Sequence, residues 1–82
     1  MEFDLAAFED LRLGVEQDRP LAVRIIRLIR ETQKEPFTGL GKPEPLKHEL
    51  AGCWARRINQ EHRLVYQVLK DKIRILACRY YY

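Results

Sequence analysis

Between Pro43 and Pro45 stands one carboxylate, Glu44, and downstream of it come Lys47, Arg56-Arg57, Arg63 and the closing Arg79-Tyr80-Tyr81-Tyr82. These types complement one another. A carboxylate can accept a proton, guanidinium groups hold fixed positive charge, and aromatic rings can stack on a splayed base. One potential base, several fixed cations and aromatic rings are what RNA cleavage without a metal requires. No metal or cofactor is expected beside them. The two cysteines, Cys53 and Cys78, lack Cys-x-x-Cys spacing, and neither His48 nor His62 is placed to complete a zinc set.

Charge gathers in the same part of the chain. Residues 42–82 hold nine cations against four acids, whereas residues 1–41 hold six against eight, so the net +3 is segregated. A basic region concentrates a polyanion through counterion release and steering, which makes nucleic acid the first partner to consider. Any single Lys or Arg can equally be a solvated surface group. At 82 residues the chain is expected to form one domain, residues 1–82. A domain of that size buries only about 60–65% of its unfolded surface, so a homodimer or a bound protein partner is a reasonable source of added stability. No apolar run is long enough for a membrane span, and the acidic start Met1-Glu2-Phe3-Asp4 is unlike a signal peptide. Free thiols and a cytoplasmic location are the expectation.

The elements that must position these groups divide into two halves. Leu5, Phe8, Leu11 and Val15 recur at helical spacing after Asp4 as a cap, although Gly14 weakens the end of that helix. Asp18 caps a second helix with Pro20 in its first turn and an apolar stripe of Leu21, Ile25, Leu28 and Ile29, widened by Ile26. Arg24, Arg27 and Arg30 are assigned to its wet face. Pro36 ends this helix, and residues 36–45 form a loop whose prolines stiffen both flanks of Glu44. The period then changes to two. Trp54–Ile58, Arg63–Leu69 and Ile73–Tyr80 read as an antiparallel meander turned at Asn59-Gln60 and Lys70-Asp71.

Register decides which groups meet. A three-residue connection, Asn59-Gln60-Glu61, sets Trp54 opposite Tyr66 and Arg57 opposite Arg63, whereas a two-residue connection sets Arg57 opposite His62. The first is preferred because it segregates cations from core. Leu64, Tyr66 and Val68 then face the helices, and Arg63, Val65 and Gln67 an open face. The fold class is α+β: two N-terminal helices packed on one face of a small antiparallel sheet, with the other face available for a ligand.

Several linked motifs carry a family resemblance. Lys-Pro-Glu-Pro-Leu-Lys-His at 42–48, Gly52-Cys53-Trp54, Arg-Arg-Ile at 56–58, Glu-His-Arg-Leu-Val-Tyr at 61–66 and Ala77-Cys78-Arg79-Tyr80 closely resemble the Txe/YoeB toxins of the RelE-like superfamily of bacterial toxin–antitoxin systems. The resemblance runs nearly ungapped from the first helix to the C-terminus and is strongest over 36–82. The first strand of that fold is the exception, since Met1 to Asp4 gives it little material.

The resemblance implies a RelE-like, microbial-RNase-like fold and a metal-independent endoribonuclease that enters the ribosomal decoding site and cuts messenger RNA there. It implies a YefM-like antitoxin as partner, with the ribosome and mRNA. By the same match Glu44 is the base on the ribose 2′-OH and Arg63 the phosphate-stabilising cation. Lys47, Arg57 and Glu61 bind and orient the substrate, and Tyr82 stacks on a base. One position departs from the family, which has a penultimate His as general acid where this chain has Tyr81. An imidazolium with a reference pKa of about 6.5 gives up its proton at neutral pH more readily than a phenol at about 10. Either Tyr81 is the acid, or the chain is a weakened or inactive interaction protein that binds antitoxin, ribosome or both.

Read without the resemblance, the same residues have plainer roles. Glu44 then bonds loop amides or pairs with Lys42 or Lys47, Arg57 and Arg63 pair with Glu61, and Trp54 and Tyr66 are core. A basic RNA-binding module without ribosome specificity is the third reading.

Overall fold

Two helices follow a strand of only two residues. β1 (Glu2–Phe3) leads into α1 (Leu5–Gln17) and α2 (Arg19–Lys34). Then come β2 (Glu44–Pro45), a 3-10 turn at His48–Leu50, β3 (Cys53–Arg57), β4 (Arg63–Val68) and β5 (Ile73–Ala77). This computed structural model describes residues 1–79, so the expected site residues Tyr81 and Tyr82, and Tyr80 with them, lie outside the described residues.

The expected meander is the middle of a larger sheet. Strand order is β1-β5-β4-β3-β2, antiparallel except for β1, which runs parallel to β5 with Glu2 opposite Arg74 and Phe3 opposite Ile75. Four residues are thus enough for the first strand. Glu44, expected in a loop, lies on the edge strand β2, opposite Ala55. The preferred register holds, with Trp54 opposite Tyr66 and Arg57 opposite Arg63. Asn59 makes that turn: its side-chain oxygen accepts from the amides of Glu61 and His62, both at 2.8 Å. At the other turn the Leu69 amide donates to Lys72 O at 2.9 Å.

The second helix forms as its sequence dictates. The Asp18 carboxylate accepts from the Leu21 amide at 3.2 Å, Pro20 sits in the first turn, and Ile25, Leu28 and Ile29 are buried. Its flanks differ from expectation. Ile26 is exposed, while Arg24, assigned to the wet face, reaches the carbonyl of Ile58 at 3.3 Å.

α1 turns a different face inward from the one its large residues suggest. Leu5, Phe8 and Val15 stay 77%, 55% and 46% exposed, and the buried positions are Ala7 and Gly14. The reason is close approach of the helices: a Cβ placed on Gly14 would stand 3.6 Å from Ala22 Cβ, so small residues let α1 settle against α2. Asp4 begins α1 in extended backbone but caps nothing with its side chain, which accepts instead from Arg74 Nε at 2.8 Å.

Both faces of the sheet carry apolar side chains. The main core joins Ile25, Leu28 and Ile29 to Leu64, Tyr66 and Ile75 under the helices. Val65, assigned to an open face, is only 3% exposed and forms a second cluster with Cys53 and Ala55, flanked by Leu46, Leu76 and Ala77. A bulge helps. Val65 pairs with Ala77 and Tyr66 with Ile75, so Leu76 is the extra residue and joins Ala77 on that face. β5 ends at Ala77, short of the expected Tyr80.

Candidate active site

Glu44 owes its place to the backbone on either side of it. Ahead of it the Gly41 carbonyl accepts from the Arg57 amide at 2.7 Å, and behind it the Leu46 amide donates to Cys53 O at 2.9 Å. Gly41 takes φ +84°, and a Cβ there would stand 2.9 Å from Leu28 Cδ2 and 3.1 Å from Arg57 O, so no other residue fits without displacement. Lys42 follows, also left-handed at φ 50°.

Period-two geometry brings the cations to the same side. Ala55 and Arg57 share a face of β3, and Arg63 stands opposite Arg57 on β4. Lys42, Glu44, Ala55, Arg57 and Arg63 together line a cleft of about 80 Å³. Arg63 is braced: its Nη1 donates to the carbonyls of Asn59 at 2.8 Å and His62 at 3.1 Å. Arg57 is exposed, and among the described residues its side chain has no hydrogen-bond or ion-pair partner. Like charges directly opposite on neighbouring strands repel, so an anion between Arg57 and Arg63 relieves what the fold alone does not. Glu44 forms no ion pair with Lys42 or Lys47, nor Glu61 with either arginine, among the described residues.

Three of the seven expected site residues are therefore assembled: Glu44, Arg57 and Arg63. Lys47 and Glu61 are exposed at the neighbouring turns and do not line the cleft. Tyr81 and Tyr82 lie outside the described residues. Lys42 is a cleft residue that sequence reasoning treated only as a partner for Glu44.

Arg56 is the larger omission. It is 0% exposed and donates to the carbonyls of Glu35, Thr38 and Leu40 and to the Tyr66 hydroxyl. Strand alternation holds the signal, because Trp54 faces the helices and Arg56, two residues on, must do the same. Burial pushes the Tyr66 phenol up, with the Arg56 hydrogen bond pulling the other way. The cysteines are free and buried. Burial, helped by the Asp10 charge, pushes the Cys78 thiol up to about 12, so it stays protonated and inert at neutral pH. Among the described residues no group of three or more His, Cys, Asp or Glu side chains is placed to hold a metal ion. Among the described residues no helix is long and apolar enough to cross a membrane.

Known proteins share this sequence and fold. Residues 3–82 match the family described as YoeB-like toxin of bacterial type II toxin-antitoxin system. The toxin YoeB of Mycobacterium bovis is 51% identical over 82 residues, covering 100% of this chain and 96% of its own length. A solved YoeB/ParE toxin from Agrobacterium tumefaciens superposes with a TM-score of 0.95 at 40% identity, covering 99% of this chain and 96% of that one. The YoeB-YefM complex from Staphylococcus aureus gives 0.90 at 39% identity, covering 99% and 94%. Agreement of sequence and fold over nearly the full length of both partners leaves one assignment: the chain belongs to the YoeB-like toxins of bacterial type II toxin–antitoxin systems.

Proposed function

We propose that this toxin is a ribosome-dependent, metal-independent endonuclease that inhibits translation by cutting messenger RNA in the decoding site. The observation that supports the reading is one cleft lined by a carboxylate, Glu44, and two guanidinium groups, Arg57 and Arg63. In the reaction Glu44 takes the proton of a ribose 2′-OH, whose oxygen attacks the adjacent phosphorus. Arg63, braced by the Asn59 turn, and Arg57 stabilise the charge that builds on the equatorial oxygens, for which a planar guanidinium is well shaped. The bond to the 5′-oxygen breaks, and Tyr81 gives that oxygen its proton, leaving a 2′,3′-cyclic phosphate and a 5′-hydroxyl. Lys42 adds positive charge at the rim, and Lys47, Glu61 and Tyr82 bind and orient the strand.

The partner is a YefM-like antitoxin, supported by the S. aureus YoeB-YefM complex, and the YoeB dimer solved from the same organism supports self-association as a second state. Both reactions belong in the cytoplasm, where ribosomes and mRNA meet the toxin. One feature favours a second reading, a binding protein that cuts nothing: Tyr81 stands where the family has its acid. Primer extension on mRNA bound to purified ribosomes separates the two. A protein-dependent stop that disappears with Glu44→Gln supports the nuclease; ribosome binding with no stop at any concentration supports the second reading.

A further inference from the structure

We propose that Arg56 is a positioning residue for Glu44, fastening the segment between α2 and β2 so that the carboxylate stands over the cleft; this rests on the nuclease reading above. The energetics of Arg56 call for such a role. It is wholly buried, and among the described residues no carboxylate lies within ion-pair reach. Burying a cation against neutral acceptors alone is costly, and an apolar side chain of similar volume is often the more stable choice in a core.

What the guanidinium supplies is direction. Its donors form a rigid planar fork, and three of their acceptors are carbonyls of one short segment: Glu35, Thr38 at 3.0 Å and Leu40 at 2.7 Å. The fourth is the Tyr66 hydroxyl at 3.2 Å, which donates in turn to the carbonyl of Pro36 at 2.6 Å. The Tyr66 ring lies 5.8 Å from the guanidinium carbon, within cation–π range. Arg56 and Tyr66 thus hold four carbonyls between residues 35 and 40.

The next residue is Gly41, pinned to the Arg57 amide at 2.7 Å, and only Lys42 and Pro43 separate it from Glu44. Pro43 has a ring-fixed φ, so little freedom remains to absorb a shift of the anchor. No partner among the described residues orients the Glu44 side chain, which leaves the backbone to set its place. A neighbouring pair therefore divides the work: Arg57 faces the cleft, and Arg56 faces the loop that delivers the base.

The test uses the full chain on mRNA-programmed ribosomes under single turnover, with Arg56→Lys, Arg56→Met and Tyr66→Phe. Arg56→Lys keeps the charge and loses the fork. It should cut about 100-fold more slowly at saturation, since a misplacement on the order of 1 Å costs that much, while ribosome affinity changes less than about 3-fold. Tyr66→Phe, which keeps Arg56, should cut about 10-fold more slowly, and it carries the test should Arg56→Met fail to fold. Acting through Glu44 has its own signature. In a Glu44→Gln background, Arg56→Lys should remove almost nothing further, whereas a merely structural lesion loses the same factor in both backgrounds. Ile25→Val, a core lesion elsewhere, should leave the rate at saturation unchanged.

Hydrogen exchange at the Arg57 amide, which is bonded to Gly41, reads the anchor without any activity and should quicken at least about 10-fold in Arg56→Lys. Parent-like cleavage by Arg56→Lys, additive losses in the double variant, or unchanged exchange at Arg57 overturns the proposal. If Glu44→Gln cuts as fast as the parent, the role of Glu44 as base fails instead, and if the parent itself cuts nothing the nuclease reading fails; exchange at Arg57 alone then decides whether Arg56 holds the loop.

Discussion

The two sides of the sheet treat their polar groups in opposite ways. Under the helices every buried polar group is answered: Arg56 by four acceptors, Tyr66 by Pro36, and Thr32 by the carbonyl of Leu28 at 2.7 Å. No buried side-chain nitrogen or oxygen there is left without a partner among the described residues. On the far side Glu44, Arg57 and Arg63 line one cleft, with two cations held directly opposite each other. Hydrogen bonds on the first side serve stability and placement. Charge in that cleft is left without an ion pair among the described residues, unlike Arg74 farther along the same face, which is paired with Asp4 at 2.8 Å.

The largest expected effect sharpens that contrast. Glu44→Gln should lower cleavage by about a hundred- to ten-thousand-fold with little change in Tm or ribosome affinity, read by single-turnover primer extension and thermal melting. A comparable loss of ribosome binding would make Glu44 a binding residue and not a base. Leu28→Ala strikes the other side and should destabilise the chain by about 2–5 kcal/mol in urea unfolding, because it empties a fully buried site. Folded protein remaining below its transition should still bind RNA.

Titration should divide in the same way. The Cys78 thiol rises on folding to about 12 from a value of 9.0, so the folded state holds a proton that the unfolded chain has released. Stability is therefore full below the unfolded pKa and falls as pH rises toward 12, by at most about 1.4 kcal/mol per pH unit. Cys78→Ala should flatten that decline between pH 9 and 11 in urea titrations, and an equally steep decline in the variant would assign the effect to another group.

The smallest effect runs against intuition. Arg57→Gln removes one of two opposed cations and should stabilise the protein by about 0.2–1 kcal/mol while weakening RNA binding and its salt dependence. If the variant melts lower than the parent, the cleft charges are not in conflict and the contrast between the two sides breaks.

The sequence made some of this division legible and hid the rest for definite reasons. Register was readable because Trp54 and Tyr66 share one parity and Arg57 and Arg63 the other, and a slip would have buried the cations. α1 misleads because Leu5, Phe8 and Val15 follow helical spacing, while of that stripe Leu11 alone packs on the core, beside Ala7 and Gly14, which are too small to draw attention. β1 has two residues, too few for any period. Alternation puts Val65 on the face away from the helices but does not say whether that face is covered. The register brings Arg57 to Arg63, whereas adding Glu44 to them rests on the family motifs; no spacing rule links residues on three strands. The residue type of Arg56 argues for the surface, although its parity with Trp54 argues for the core.

The prolines beside Glu44 have a consequence for colloidal behaviour. β2 is an edge strand, and an uncovered edge invites another chain to pair with it. Hydrogen-bonding positions alternate along an antiparallel strand, and the Leu46 amide already points at Cys53, so the outward positions fall on residues 45 and 43. Both are proline and have no N–H to offer. The edge that carries Glu44 can thus stay uncovered while offering a neighbouring copy almost no donors with which to start a fibril.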